Sequence, residues 1–226
     1  MRILAIETSG LKGSVAALSD HDLLLELPLN ANQRGAQSLA PALAELLRQV
    51  VWQPRDARLV GVSVGPGSFT SLRVGVTTAK TFAYAVSAEI LAISTLEVIA
   101  AQADVPPGRL ISPAIDAQRG DLYTALYRRH GPFDYELIEP PSIVSAADWL
   151  AGLSRETLAI GPALEKLAAG LPTDQPLAPR ESWPPAARTI ARLAVVKYAA
   201  GERSDVWSVA PFYLRKSAAE ERASGA

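Results

Sequence analysis

The chain has no cysteine and only two histidines among its 226 residues. The missing cysteine excludes disulfides, thiolate metal sites and cysteine nucleophiles together. His21 and His130 stand far apart, each in a predicted tight turn, and no His-x-x-x-His pair places two imidazoles on one helical face. An excess of charge is also missing. Lysine and arginine number 22 against 23 acidic residues, a net charge of −1, so nothing pulls the chain as a whole toward nucleic acid or anionic lipid. Any service to RNA would run through a partner or a local patch. No apolar run approaches the roughly 20 residues of a membrane span. Met1 to Glu7 reads as a strand and lacks the longer apolar core and cleavage site of a secretory signal. A cytoplasmic protein without a membrane partner is the expectation. What is present is globular composition, 49% hydrophobic and 20% charged, enough for one large domain or two small lobes.

Arg2–Thr8, Ser14–Leu18 and Leu23–Leu29 read as three strands joined by short turns, an antiparallel meander. A helical pattern follows, with Leu39, Leu43, Leu46 and Val50 on one face and Pro41 near its start. Next come a strand Leu59–Val64, a turn Gly65-Pro66-Gly67, a helix Thr70–Val86 and a strand Glu89–Ile93. The order β-β-β-α-β-α-β predicts an α/β lobe with a mixed sheet. The pattern breaks around Asp104–Gly108, which divides the chain into a lobe over 1–103 and a smaller one over 104–226. In the second, strands are expected at Arg109–Ile115, Asp121–Arg128 and Phe133–Ile138, a proline-rich loop at Pro172–Pro185, and a last helix over 188–200 packing back on the first lobe. The tail 217–226 is expected to be disordered. A strand–turn–strand unit with an acid at its turn occurs twice, at Glu7 and at Asp116.

These acids carry two readings. Glu7-Thr8-Ser9 ends the first strand, a place similar to that where sugar kinases, actin and heat-shock ATPases set the acid that holds Mg²⁺-bound water near ATP. With Asp116 opposite, the two could frame a nucleotide. Both are equally turn-initiating acids of the ordinary kind. A phosphate-loop reading of the glycine segment fails, because Thr70 stands where that motif needs its second glycine and Lys80 lies well inside a helix. A serine-hydrolase reading finds Gly-Pro-Gly-Ser-Phe rather than Gly-x-Ser-x-Gly. The helix Thr70–Val86 bears two stripes. Leu72, Val76, Ala79, Ala83 and Val86 are core in the simplest reading. Thr70, Arg73, Thr77, Lys80 and Tyr84 form a polar stripe that is either solvated or a partner contact, with an arginine and a tyrosine of the kind that anchor interfaces.

Taken together, Ile3–Ser9, the block Gly65-Pro66-Gly67-Ser68-Phe69-Thr70 with Ser71–Gly75, Ala79-Lys80, Ser94–Glu97, Ile115–Tyr123 and Pro211–Arg215 resemble the bacterial TsaB (YeaZ) family, in family order over nearly the whole chain. The resemblance implies a two-lobed actin-like ATPase (ribonuclease H-like) fold with mixed β-sheets. It implies a role in making N6-threonylcarbamoyladenosine beside the tRNA anticodon, as the non-catalytic partner of TsaD, with TsaE joining the pair and tRNA reached through the complex. In isolation a homodimer through the same surface is expected. The pairing surface would be the helices around Gln37–Val50 and Thr70–Val86, with Leu39, Leu43, Leu46, Val50, Thr70, Arg73, Thr77, Lys80 and Tyr84 as contacts. No catalytic residue, no metal and no cofactor are expected, with ATP binding weak or absent. Glu7, Thr8, Ser9 and Asp116 would be a vestigial nucleotide site. The rival reading is a Mg-ATP-dependent small-molecule kinase or ATPase using Glu7 and Asp116. The chain departs from the family pattern at Ser71, at Glu7 where aspartate is common, and at Gly35 where many members have histidine. Ile160-Gly161-Pro162-Ala163 lacks the double glycine that nucleotide-binding relatives set against adenosine.

Overall fold

The computed structural model describes residues 1–30 and 35–215. The expected disorder of the tail 217–226 lies outside the described residues. Strands β1 (Arg2–Glu7), β2 (Ser14–Ser19) and β3 (Asp22–Pro28) form the meander, followed by α1 (Gly35–Gln49), β4 (Leu59–Gly65), α2 (Phe69–Val86) and β5 (Glu89–Ser94). Gly35 opens α1. The sheet order is β3-β2-β1-β4-β5, antiparallel through the meander and parallel from β1 to β5. Period-two alternation assigns the faces. Leu4 and Ile6 of β1 join the core beneath α1 and α2, while Ile3 and Ala5 join a second core on the opposite face.

That opposite face is covered by α6 (Ala187–Ala199), which places Ile190, Leu193 and Ala194 against Ile3, Ala16, Leu18 and Leu59. The start of α6 is fixed to the first sheet. Ser14 Oγ accepts the Ala187 amide at 2.9 Å, and Glu26 accepts the Arg188 amide at 3.1 Å and its guanidinium at 2.6 Å. An acid at a helix N-terminus satisfies orphan amides and complements the dipole.

The second sheet repeats the plan. Strands β6 (Leu110–Asp116), β7 (Asp121–Gly131) and β8 (Asp134–Ser145) make a second antiparallel meander, and β9 (Thr157–Ile160) pairs parallel to β6, giving the order β8-β7-β6-β9. Two short helices, α4 (Ala146–Gly152) and α5 (Leu164–Leu167), flank β9. β8 runs past Ile138 through Pro140 and Pro141 to Ser145. It tolerates the prolines because it is the edge strand, with one side free of ladder bonds. Trp149 of α4 is buried in the second lobe's own core and donates its indole N–H to Ser112 Oγ at 2.9 Å.

A helix not expected from the sequence, α3 (Thr95–Ala100), links the lobes. Its Leu96, Ile99 and Ala100 enter the core of the second lobe, while its Val98 enters the first-lobe core under α6. Just beyond it, Gln102 donates to Ser182 O at 2.6 Å and Pro184 O at 2.8 Å and accepts from Thr189 Oγ1 at 3.2 Å, tying the linker to the approach to α6.

Candidate functional site at the interlobe cleft and its flanking helix

A cleft of about 790 Å³ lies between the lobes. Its first-lobe wall is the β1–β2 turn Ser9–Lys12 and the motif loop Gly67–Thr70; its second-lobe wall is Ile115–Arg119 and Pro162–Lys166. Of the four residues expected as a vestigial nucleotide site, Ser9 and Asp116 line this cleft, whereas Glu7 and Thr8 sit beneath its surface, 0% and 3% exposed.

The motif loop owes its sequence to close packing. Gly65 takes φ +119°, and a Cβ there would stand 2.6 Å from Phe212 O, so only glycine fits. Within α2, a Cβ at Gly75 would collide with the Thr8 hydroxyl. Thr8 is thus spent on letting α2 lie against the end of β1. Ser68 donates its amide to Ser9 O at 2.7 Å, joining the motif loop to the Glu7 turn.

Glu7 is held from one side only. Its Oε1 accepts both the Ser9 amide and the Ser9 hydroxyl at 2.5 Å. Its Oε2 has no hydrogen-bond partner among the described residues, and the Ser63 hydroxyl on the neighbouring strand, though near enough to act on the carboxyl, does not make hydrogen-bond geometry with it. Burial pushes this carboxyl above its ordinary value of 4.5, against the Ser9 and Ser63 contributions. Asp116 differs in exposure and in its charged partner. It is open to solvent, accepts the Gln118 amide at 2.7 Å and pairs with Lys166 at 2.5 Å. The Lys166 hydrogen bond holds it below its ordinary value.

An Mg-ATP site of the kind this fold carries in its ATPases needs acids presented to the cleft. Glu7 is sealed under the cleft floor and Asp116 is already engaged by a lysine. No group of three or more His, Cys, Asp or Glu among the described residues is placed to hold a metal. Of the two acids, then, only Asp116 is presented to the cleft, and it is presented as a pair with Lys166.

The helices show a different distribution from the one expected. Leu39, Leu43 and Leu46 are 1%, 5% and 0% exposed and form part of the first lobe's own core. This corrects their expected place on a pairing surface: α1 has one apolar face, and the sheet takes it. Val50, one residue past α1, packs partly buried on the same core. The outward face of α1 is made of Gln37, Ala40, Pro41, Ala44 and Arg48.

On α2, Thr70, Arg73, Thr77 and Tyr84 are exposed and Lys80 is half-buried. Part of this stripe already has a partner, in the chain itself. Residues 204–215 run along it. Lys80 Nζ donates to Trp207 O at 3.1 Å and Val209 O at 2.8 Å, so it is not an outward-facing contact. Tyr84 meets the Trp207 ring edge-on at 5.1 Å. Phe69 stacks on Tyr213 at 4.2 Å, and Arg73 lies 4.1 Å over the Phe69 ring and donates to Tyr213 Oη at 3.1 Å. Sequence reasoning noted Pro211–Arg215 as family-like but gave it no place. The local signal, a proline and two aromatics after a helix, names no docking site more than a hundred residues away.

Two mixed sheets of the same plan facing a common cleft define the class: a two-lobed protein of the actin-like ATPase fold. The family model described as TsaD, tRNA N6-adenosine threonylcarbamoyltransferase, matches residues 27–183. The Bacillus subtilis tRNA threonylcarbamoyladenosine biosynthesis protein TsaB is 37% identical over 69% of this chain and 67% of its own length. The Escherichia coli protein of the same name is 29% identical over 100% of this chain and 99% of its own. A solved Pseudomonas aeruginosa structure, described as an uncharacterized protein with similarity to peptidase YeaZ, superposes with a TM-score of 0.79 at 25% identity, covering 95% of this chain and 99% of that one. The chain belongs to the TsaB (YeaZ) family of tRNA threonylcarbamoyladenosine biosynthesis proteins. Among the described residues no helix is long and apolar enough to cross a membrane.

Proposed function

We propose that this chain is a non-catalytic subunit of the machinery that installs threonylcarbamoyladenosine on tRNA, pairing with a TsaD-type transferase and contributing to the surface that TsaE and tRNA meet. The observation that carries the reading is the state of the cleft acids. A member of an ATPase-fold family whose first-lobe acid is fully buried, with its second-lobe acid paired to lysine, retains the architecture without a presented metal site. Family membership supplies the pathway.

The pairing surface belongs on the outward faces of α1 and α2. Ala40 and Ala44 of α1 and Thr77 of α2 are small and exposed, which lets a partner helix approach closely. Tyr84 and Arg73 at the two ends are residue types that dominate interface energetics. Cytoplasmic location and self-pairing of the isolated chain through the same faces follow from this reading.

The test is co-purification with the cognate TsaD. Ala44→Arg combined with Thr77→Arg should abolish the pair while leaving the melting temperature of the isolated chain unchanged. A folded double variant that still co-purifies would place the surface elsewhere. Leu46→Asp is unsuitable for this purpose, since it strikes the core.

A further inference from the structure

The lobes are joined on one side by α3, Gln102, the approach to α6 and the β7–β8 turn, whose Phe133 packs on the first-lobe core with Arg192 over its ring. Domains linked in this way ordinarily move relative to one another unless something else ties them. Residues 204–215 supply a second tie. The segment starts on the first lobe, where Ser204 Oγ accepts the Ala92 amide at 3.1 Å. Lys80 then clamps its backbone at Trp207 and Val209, and Val209 is buried in the first core. Phe212 donates its amide to Val64 O at 2.7 Å, at the end of β4. Tyr213 stacks on Phe69. Two residues later the segment reaches the other lobe: Arg215 donates to Ala117 O at 2.6 Å, on the β6–β7 turn, and pairs with Asp121 at the start of β7. Tyr213 and Arg215 both line the cleft.

We infer that residues 204–215 are a strap that fixes the angle between the lobes, with Tyr213 as its anchor on the first lobe and Arg215 as its latch on the second. The anchor and latch lie two residues apart, too short a span to absorb a lobe rotation without breaking one of them. The Arg215 contacts are charge-assisted and the residue is mostly shielded from solvent, which makes them stronger than surface pairs. A ligand bound in an interlobe cleft would bridge its two walls. Here the chain bridges them with its own residues, so the lobes hold one arrangement through contacts of the chain itself. This inference stands independently of the pairing surface proposed above.

The absence of native cysteine permits a direct test. Spin labels at Leu11→Cys and Glu165→Cys report across the cleft, since both positions are exposed and lie on opposite walls. In the parent sequence the pair should give one narrow distance distribution. Arg215→Ala, which releases the latch, and Tyr213→Ala, which releases the anchor, should each broaden it at unchanged circular dichroism. Arg155→Ala, which removes an exposed ion pair with Asp174 away from the cleft, should leave it narrow. A broad distribution in the parent overturns the strap. So does a narrow one in both variants, and so does broadening by only one of them, since the strap needs both its anchor and its latch.

Discussion

Glu7 and Asp116 occupy equivalent places in the two lobes. Each ends the first strand of a three-stranded meander, and each accepts the amide of the residue two positions on. The fourth strand of each lobe also ends alike, in Gly-Pro with the glycine at φ +119°. Yet one acid is sealed and raised by burial, and the other is open and lowered by Lys166. The same backbone turn therefore serves opposite electrostatic ends, decided by what packs over it. In the first lobe the turn is covered on both sides, by α2 through Thr8 and Gly75 and by the motif loop through Ser9. In the second lobe the turn stands at the cleft wall and keeps its solvent.

The largest expected effect tests whether the lobes are separable. Leu46→Asp in the first core should cost about 4 kcal/mol or more, as burial of an unpaired charge does. Trp149→Ala in the second should cost about 3–5 kcal/mol. Because α3 enters the Trp149 core and also the core under α6, on the other face of the sheet that carries Leu46's core, each substitution should shift one shared unfolding transition, followed by urea denaturation with fluorescence and circular dichroism together. Two transitions, only one of which moves, would show that the lobes unfold separately. Next in size, Gly75→Val should destabilise by about 1–3 kcal/mol through the clash with Thr8, and Thr8→Ala in the same chain should recover part of the loss.

The two acids themselves give opposite pH signatures. Glu7 has its folded pKa raised, so the native chain binds that proton more tightly than the unfolded chain does. Its contribution falls as pH rises from 4.5 through the raised value, and above that window the buried charge is a standing penalty. Glu7→Gln should therefore flatten this slope and raise the melting temperature of the chain at neutral pH. Asp116 has its folded pKa lowered, so its contribution is present above 3.8 and is lost as pH falls through the lowered value. Asp116→Asn should remove that term above pH 3.8 and change nothing in acid, and the loss should be small because both partners of the pair are exposed and screened. Melting temperatures of the parent and the two variants across pH 3–8 check both signs. Equal slopes in the two variants would erase the distinction between the lobes.

Long periodic segments made the first lobe legible in sequence. The meander, α1, β4, α2 and α6 all follow from apolar spacing and turn residues, and the twice-used turn was visible from Glu7 and Asp116. What stayed hidden has physical reasons. The helices α3 and α4 and strand β9 span six, seven and four residues, too few for periodicity to show. The leucine stripe of α1 marked a buried face, but a pattern within one helix does not say whether the sheet or a partner buries it. The strap along α2 depends on contacts such as Arg73–Tyr213, 140 residues apart, which no local pattern encodes. The burial of Glu7 was hidden for the same reason, since the groups that cover it come from distant segments.

Calorimetric titration of the isolated chain with Mg-ATP, in parallel with Glu7→Gln, tests the central claim that the first-lobe acid is structural and the cleft is not a metal–nucleotide site. No binding heat that depends on Glu7 is expected, with the variant folded and more stable than the parent at neutral pH. Tight Mg-ATP binding by the parent that the folded variant loses would contradict it.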